Sequence, residues 1–412
     1  MQRYTHPTQI PRSKTIKSID WQSDLIHIKN PNIKGDTHPM TWAADDAIYI
    51  GTGDPLYYIK DGVPTYKVVN IPSPPDRNSK EWEIYCRTTG SVVEKITGDP
   101  EDMQLERIND LPGFYGYGGG GCKPTGMISV NGTLYMAIQN LLGCKLPHFG
   151  SHSQHGSDAT IICSKDYGKT WTPDLEPLLD AFAQEQFIGG TENPHYANRM
   201  SEWKTKYYER NSYRGWTPMF PGDWCGQPSF VQFGKDNCDA VDEYVYAISS
   251  DQFDNGTNLR VGRVHRDHIM ETDQWEFATY EKDGSVGWTK DLSLSDPMLE
   301  IYRHIGAAEM VYIPTLKKYI TLTWAFHADF DPSEGSELTI LESDHPWGPY
   351  SLVFYEWMWY KMEASGYCPR LPMKWFDPQT LTGYIEWAGD FTDSQNKPYY
   401  APSVRKFQFV VE

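Results

Sequence analysis

Apolar and polar residues alternate along this chain in short runs, and the runs come in pairs. Met40 to Asp54 reads MTWAADDAIYIGTGD, and Thr125 to Asn140 reads TGMISVNGTLYMAIQN. Pro228 to Asp251 reads PSFVQFGKDNCDAVDEYVYAISSD, Ala308 to His327 reads AEMVYIPTLKKYITLTWAFH, and Pro369 to Asp390 reads PRLPMKWFDPQTLTGYIEWAGD. Each copy alternates, passes through a polar turn (Ala-Asp-Asp, Asn-Gly, Lys-Asp-Asn, Leu-Lys-Lys, Pro-Gln-Thr) and alternates again. A side-chain period of two interrupted by turn residues predicts a β-hairpin.

A second pair of strand-like runs follows most copies: ATIICSKDYGKTWTP, LRVGRVHRDHIMETDQWEFAT and LTILESDHPWGPYSLVFYE. Two hairpins make a four-stranded antiparallel sheet, the unit of a β-propeller blade. The five hairpins therefore predict an all-β chain, a five-bladed β-propeller forming one domain over residues 1–412. The run RKFQFVV, from Arg405 to Val411, is expected to pair with the N-terminal IKSIDW or DLIHI and close the ring, which removes exposed sheet edges. Ser164 to Trp171 matches the Asp-box pattern S-x-D-x-G-x-T-W, a turn between outer strands that marks sialidase-like propellers and has no catalytic part. From about 175 to 222 the chain starts with a short helical pattern, then turns polar and aromatic, and fits no blade. Long insertions in compact folds are usually lids or binding loops, so a lid-like insertion over one face is expected.

Composition narrows the function classes. The chain carries 15 Trp, 27 Tyr and 16 Phe, ample apolar area for a packed body, and a formal charge of −18. An acidic balance excludes a nucleic-acid backbone binder and a protein held electrostatically on anionic lipid. No run approaches the ~18 apolar residues of a membrane span. The N-terminal stretch has no apolar signal-peptide region, so the chain is expected either to be intracellular or to have a leader outside this sequence. Seven cysteines without C-x-x-C spacing suit neither a disulfide framework nor a zinc site, and buried thiols are expected. The sequons at Asn131 and Asn255 matter only in a secretory compartment. Gly118 to Gly121 lacks a following helix or Lys-Ser/Thr, so it is no phosphate loop, and no G-x-S-x-G elbow exists.

Propeller topology places candidate chemistry. The loop before each innermost strand shares a face with the loop after the second strand. The leading positions hold Asp36 and His38, Cys122 and Lys123, Cys225 and Gln227, Glu309, and Cys368 and Arg370. The trailing positions hold Asp54, Asn140, Asp251, His327 and Asp390. Convergent polar groups in a concave mouth define a candidate site, although a wet channel can also simply tolerate them. Trp42, Tyr57, Tyr58, Trp224, Phe253, Trp324, Tyr367, Trp375 and Trp387 flank these positions, either as stacking surfaces for sugar rings or as inter-blade core. An acidic, aromatic-lined cleft suits a neutral carbohydrate. Asp36 and Asp54 bracket the first hairpin, and two carboxylates flanking a glycosidic bond are the minimum for its hydrolysis. Asp251 and Glu309 are rival members of the pair. The expectation is a glycoside hydrolase with Asp36 and Asp54 catalytic. His38, Lys123, Asn140, Gln227, Asp251, Glu309, His327, Tyr367 and Arg370 would hold substrate. No cofactor or metal is required on this reading, although an Asp-rich mouth also suits Ca²⁺. Two alternatives stand beside it. A polysaccharide lyase would use Arg303-His304, Tyr367 with Arg370 and Lys374, or the run of His148, His152 and His155 to act on a uronate. A non-catalytic glycan-binding propeller would use the same mouth without turnover.

Several stretches resemble a known group. GDTHPMTWAADDAIYIGTGD looks like the opening of the five-bladed propeller family, long of unknown function, that contains the microbial endo-D-arabinanases. QPSFVQFGKDN, DEYVYAISSD, EMVY, HPWGPYSLVFYE and YCPRLPMKW are similar to its more distant branches, and the resemblance spans residues 15–410. In that family two aspartates around the first hairpin are implicated in glycoside hydrolysis, which the resemblance carries to Asp36 and Asp54. Thr37 and His38 follow Asp36 where the family commonly has a Trp or similar residue, a departure through His38 that retunes the site, so the resemblance does not carry arabinan over as the substrate. A second resemblance, to seven-bladed propellers that cleave rhamnose–glucuronate linkages, implies the lyase.

Overall fold

The structure, a computed structural model, describes residues 2–27, 34–60, 63–66, 89–112, 123–139, 159–173, 218–222, 224–326, 335–359, 366–389 and 401–411. Its strands fall into five sheets, and each predicted hairpin supplies the inner strands of one. Met40–Trp42 pairs with Ile48–Lys60 in the first sheet, and Lys123–Val130 with Thr133–Gln139 in the second. Gln227–Phe230 pairs with Tyr244–Ser250 in the third. Glu309–Ile313 pairs with Lys318–Phe326 in the fourth, and Tyr367–Arg370 with Thr382–Ala388 in the fifth. The second hairpin turns on Asn131 (φ 51°) and Gly132 (φ 73°), the two positive φ angles that a tight two-residue hairpin requires.

Further antiparallel strands extend four of the sheets to four strands or more. Thr89–Thr97 and Gln104–Pro112 complete the first, and Ser336–Ser343 and Tyr350–Glu356 the fourth. Gly256–His265 continues the third and is flanked by Glu276–Tyr280 and Leu299–Ile305. The second sheet has three described strands, the outermost being Thr160–Ser164.

Hydrogen bonds join each sheet to the next. Ser129 N donates to Thr41 Oγ1 (3.0 Å) between the first and second, and Gln232 Nε2 to Met127 O (2.7 Å) between the second and third. Gln232 N donates to Met310 O (2.9 Å) between the third and fourth, and Ser336 Oγ to Gly366 O between the fourth and fifth. Tyr384 Oη donates to Glu101 Oε1 (2.6 Å), linking the fifth sheet back to the first. The order is that of a β-propeller. Inner strands approach closely: a Cβ on Gly126 would lie 2.7 Å from Pro228 O, so only glycine fits there.

The fifth sheet joins N-terminal strands to the last strand of the described chain. Ser403–Val411 pairs on one edge with Thr382–Ala388 and on the other with Ile16–Trp21, in register from Ile16 opposite Val411 to Trp21 opposite Phe407. Ile26–His27 also pairs with this strand, so both expected closing segments take part. Gln2–Tyr4 runs parallel to Leu299–Ile305 of the third sheet.

The Asp-box folds as its pattern predicts. Asp166 accepts from Thr170 N (2.9 Å) and Thr170 Oγ1 (2.7 Å), and Ser164 Oγ accepts from Gly168 N (2.7 Å). Burial alone would raise the Asp166 carboxyl, but the bonds from Thr170 and Ser164 together outweigh it and hold the group below the ordinary carboxylate range. Trp171 is buried, and Gly168 lies against Val93 and Ile108 of the first sheet, so the turn packs between sheets.

Of the expected lid, only 218–222 are described, where Phe220 bridges to Ala159; the rest lies outside the described residues. Among the described residues no helix is long and apolar enough to cross a membrane. Cys163, Cys225, Cys238 and Cys368 are free thiols. Burial pushes Cys225 up to about 12 and Cys368 higher still, so both are inert, whereas Cys238 is exposed.

Candidate functional site

The inner strand ends converge on one buried polar cluster. The first sheet contributes a turn through Asp36, Thr37 and His38, between Lys34–Asp36 and Met40–Trp42. His38 N donates to Asp36 O (2.9 Å), closing a three-residue turn with Thr37 at φ 68° and His38 at φ 40°. Consecutive left-handed angles on a β-branched residue and a histidine cost about 1–3 kcal/mol each and persist only where the surroundings hold them.

Those surroundings come from the neighbouring sheets. Tyr367 Oη donates to Asp36 Oδ2 at 3.0 Å, and Lys123 Nζ lies 3.9 Å from the same oxygen. The Lys123 ammonium also sits 5.3 Å from the centre of the Phe253 ring. Arg370 reaches from the fifth sheet to donate to Thr37 O through Nη2 (3.0 Å) and Nε (3.3 Å), and its Nη1 is 3.5 Å from Ser229 Oγ of the third. His38 Nδ1 lies 2.8 Å from Glu386 Oε1, with both side chains at 0% exposure. Leu371 N donates to Glu309 Oε2.

Burial controls the acids. Desolvation raises Glu309 to about 7, against the lowering effect of Arg370 and the Leu371 N–H, with Glu386 adding a smaller upward push. Desolvation likewise lifts Glu94 to about 7, opposed by the Thr52 hydroxyl and by His38. Glu386 is raised by the same cause and lowered in part by His38 and Arg370. Both amide atoms of Gln227, Oε1 of Gln139 and Nε2 of His38 are buried without a hydrogen-bond partner among the described residues. Such groups in a native fold call for a water or a ligand.

The expected site residues separate accordingly. Asp36, Lys123, Gln227, Glu309, Tyr367 and Arg370 are all buried at or beside the inner strand ends. His38 and Arg370, expected as substrate ligands, turn inward to Glu386 and to Thr37. Asp251 serves a local turn instead, accepting from Thr257 N (2.9 Å) and Asn258 Nδ2 (2.8 Å). Asn140, His327, Asp390 and the histidine run 148–155 lie outside the described residues. The Asp54 backbone lies in Ile48–Lys60, and its side chain is outside the described set. Asp36 is in register with Gly53, and Lys34 with Tyr57, so the longer strand bulges over 54–56 beside Asp36. Elsewhere, His304 pairs with Glu337 and Lys374 with Asp46. Trp324 and Trp387 are packed in the core rather than lining a cleft, whereas Trp224 is exposed.

Sequence reasoning missed Glu94, Gln139 and Glu386. Glu94 in SVVEKIT and Glu386 in GYIEWAG each stand within apolar strand runs. A carboxylate there is the signal that identifies them, because burial of an acid demands a partner.

No protein-family model and no curated protein matches the sequence. Solved structures are similar at a distance. An α-L-arabinofuranosidase from Podospora anserina shares 10% identity at a TM-score of 0.45, over 97% of this chain and 98% of its own. A xylan β-1,4-xylosidase from Bacillus halodurans shares 9% at 0.47, over 93% of this chain and 56% of its own. A family 117 glycoside hydrolase from Zobellia galactanivorans shares 9% at 0.42, over 96% of this chain and 90% of its own. At such identities and TM-scores these likenesses carry no argument about what this chain does.

Proposed function

We propose that this chain is a glycoside hydrolase built on a five-bladed propeller, with Asp36 and Asp54 as the acid/base and nucleophile pair. The observation that carries the reading is the setting of Asp36. Its carboxylate is gripped by Tyr367 and faced by Lys123, on a strained turn whose cross-strand neighbour is Gly53. Asp54 directly follows Gly53, where the longer strand bulges beside Asp36. Carboxylate pairs that cleave glycosides are separated by about 5–9.5 Å. One carboxyl protonates the departing sugar oxygen, and the other attacks the anomeric carbon or activates water. Gln227 offers a buried amide to a sugar hydroxyl, and Lys123 and Tyr367 fix the reacting unit beside Asp36. Asn140 and His327 complete the expected substrate contacts.

The test is a screen of arabinan, xylan, galactan and a rhamnose–glucuronate glycan, with and without a chelator, read by reducing ends and by ultraviolet absorbance. Hydrolysis releases reducing ends without absorbance, and Asp36→Asn or Asp54→Asn abolishes it. Absorbance that grows with cleavage identifies the lyase instead. Binding without turnover identifies a glycan-binding propeller.

A further inference from the structure

Three consecutive residues of the Asp36 turn are each held by a side chain of the fifth sheet. Tyr367 bonds the Asp36 carboxylate (3.0 Å), Arg370 bonds the Thr37 carbonyl (3.0 Å), and Glu386 bonds the His38 imidazole (2.8 Å). Tyr367 and Arg370 share one short strand, and Glu386 is the cross-strand partner of Arg370. Arg370 and Glu386 therefore act from one point of one sheet on adjacent residues of another. The turn they hold is locally unfavourable, since Thr37 and His38 both have left-handed backbones. The Glu386 carboxylate is fully buried, and its described bond is spent on His38 rather than on its own sheet.

We propose that Glu386 is a positioning residue: acting through His38, it locks the Asp36–Thr37–His38 turn in its left-handed form and so presents Asp36 to the substrate. The inference rests on Asp36 being catalytic. A purely structural ion pair between sheets would need no strained partner, and it would not share its cross-strand neighbour's grip on the same turn. Releasing His38 lets the turn relax toward ordinary backbone angles, which moves the Asp36 carboxylate away from Tyr367 and Lys123. Misplacement of a reacting group lowers turnover far more than it lowers affinity.

The experiment uses the full chain and whichever glycan of the screen gives the most reducing ends. Glu386→Leu, which has a similar volume but offers no acceptor, is expected to lower kcat about 10- to 100-fold with KM within about twofold. His38→Ala is expected to do the same, and the double variant to be within about threefold of the worse single, because both act on one contact. His38→Asn, whose amide can reach Glu386 from the place of Nδ1, is expected to retain most of the turnover, and it carries the test if Glu386→Leu does not fold. Unchanged kcat in Glu386→Leu, losses that multiply in the double variant, or a His38→Asn no better than His38→Ala would each overturn the inference. Retained activity in Asp36→Asn, or no cleavage of any glycan by the native chain, overturns the hydrolase reading and the proposal with it. Loss in Asp36→Asn alone overturns only the role of Glu386.

Discussion

Glu94 lies in the interior of the first sheet with its carboxyl raised to about 7, and that displacement makes stability depend on pH in a calculable way. The folded chain holds the Glu94 proton more tightly than the unfolded chain, whose carboxyl titrates near 4.5. The stabilisation is complete below 4.5, falls as the pH rises, and is lost once the pH passes about 7. Lifting a carboxyl over that window corresponds to roughly 3 kcal/mol. Glu94→Gln replaces it with a group that resembles the protonated acid and cannot ionise. The Thr52 hydroxyl can still donate to the remaining oxygen. The variant should therefore match the native chain near pH 4.5 and exceed it by roughly 3 kcal/mol at pH 8. For 412 residues, an unfolding entropy of about 2.1 cal/mol/K per residue converts this to about 4 °C in Tm. Calorimetric melting of both proteins at the two pH values measures it, and the contribution of Glu309 cancels in the comparison. An equal Tm difference at both pH values, or a variant less stable at pH 8, would refute the assignment of Glu94 as a buried, proton-holding acid.

Other expectations follow from packing. Asp166→Ala removes the acceptor for Thr170 N and Oγ1, and should lower Tm by about 1–3 °C while leaving turnover unchanged in the glycan assay. Gly126→Ala forces a Cβ against Pro228 O and Ser229 Cα, and should cost about 1–3 kcal/mol in urea denaturation or abolish soluble expression. Deleting residues 2–21 strips Ile16–Trp21 from the fifth sheet and exposes the edge of Ser403–Val411. Light scattering should then show association at concentrations where the full chain is monodisperse.

The fold was legible because its repeat is local. Five hairpins, the Asn-Gly turn, the Asp-box and both closing segments were all written in period-two alternation and turn chemistry, which act over a few residues. Alternation also misled where the inside of a sheet is polar. Glu94 and Glu386 occupy apolar-looking runs, and their partners are in other strands, Thr52 for one and His38 for the other. Proximity to a strand end gathered Lys123 and Gln227, which the structure buries together with Asp36, and it also gathered Asp251, whose carboxylate bonds only a few residues onward. Strand ends hold turn-forming acids as readily as ligands, and nothing in a single sequence separates the two. The inward turn of His38 and Arg370 was equally illegible, since it depends on how the fifth sheet meets the first.

The fifth sheet also has a history in time. Ile16–Trp21 is synthesised early, whereas its partner Ser403–Val411 follows almost four hundred residues later. At about 5–20 residues per second, the early strand waits roughly 20–80 s on the ribosome for a mate. During that interval it is an unpaired edge on a growing chain. Its outward positions, Lys17 and Asp20, are charged, while Ile16 and Ile19 face inward. Charges at those positions discourage pairing with the same strand of a neighbouring nascent chain. Ring closure is thus a late, long-range event, and the charged face of one short strand protects the chain until it happens.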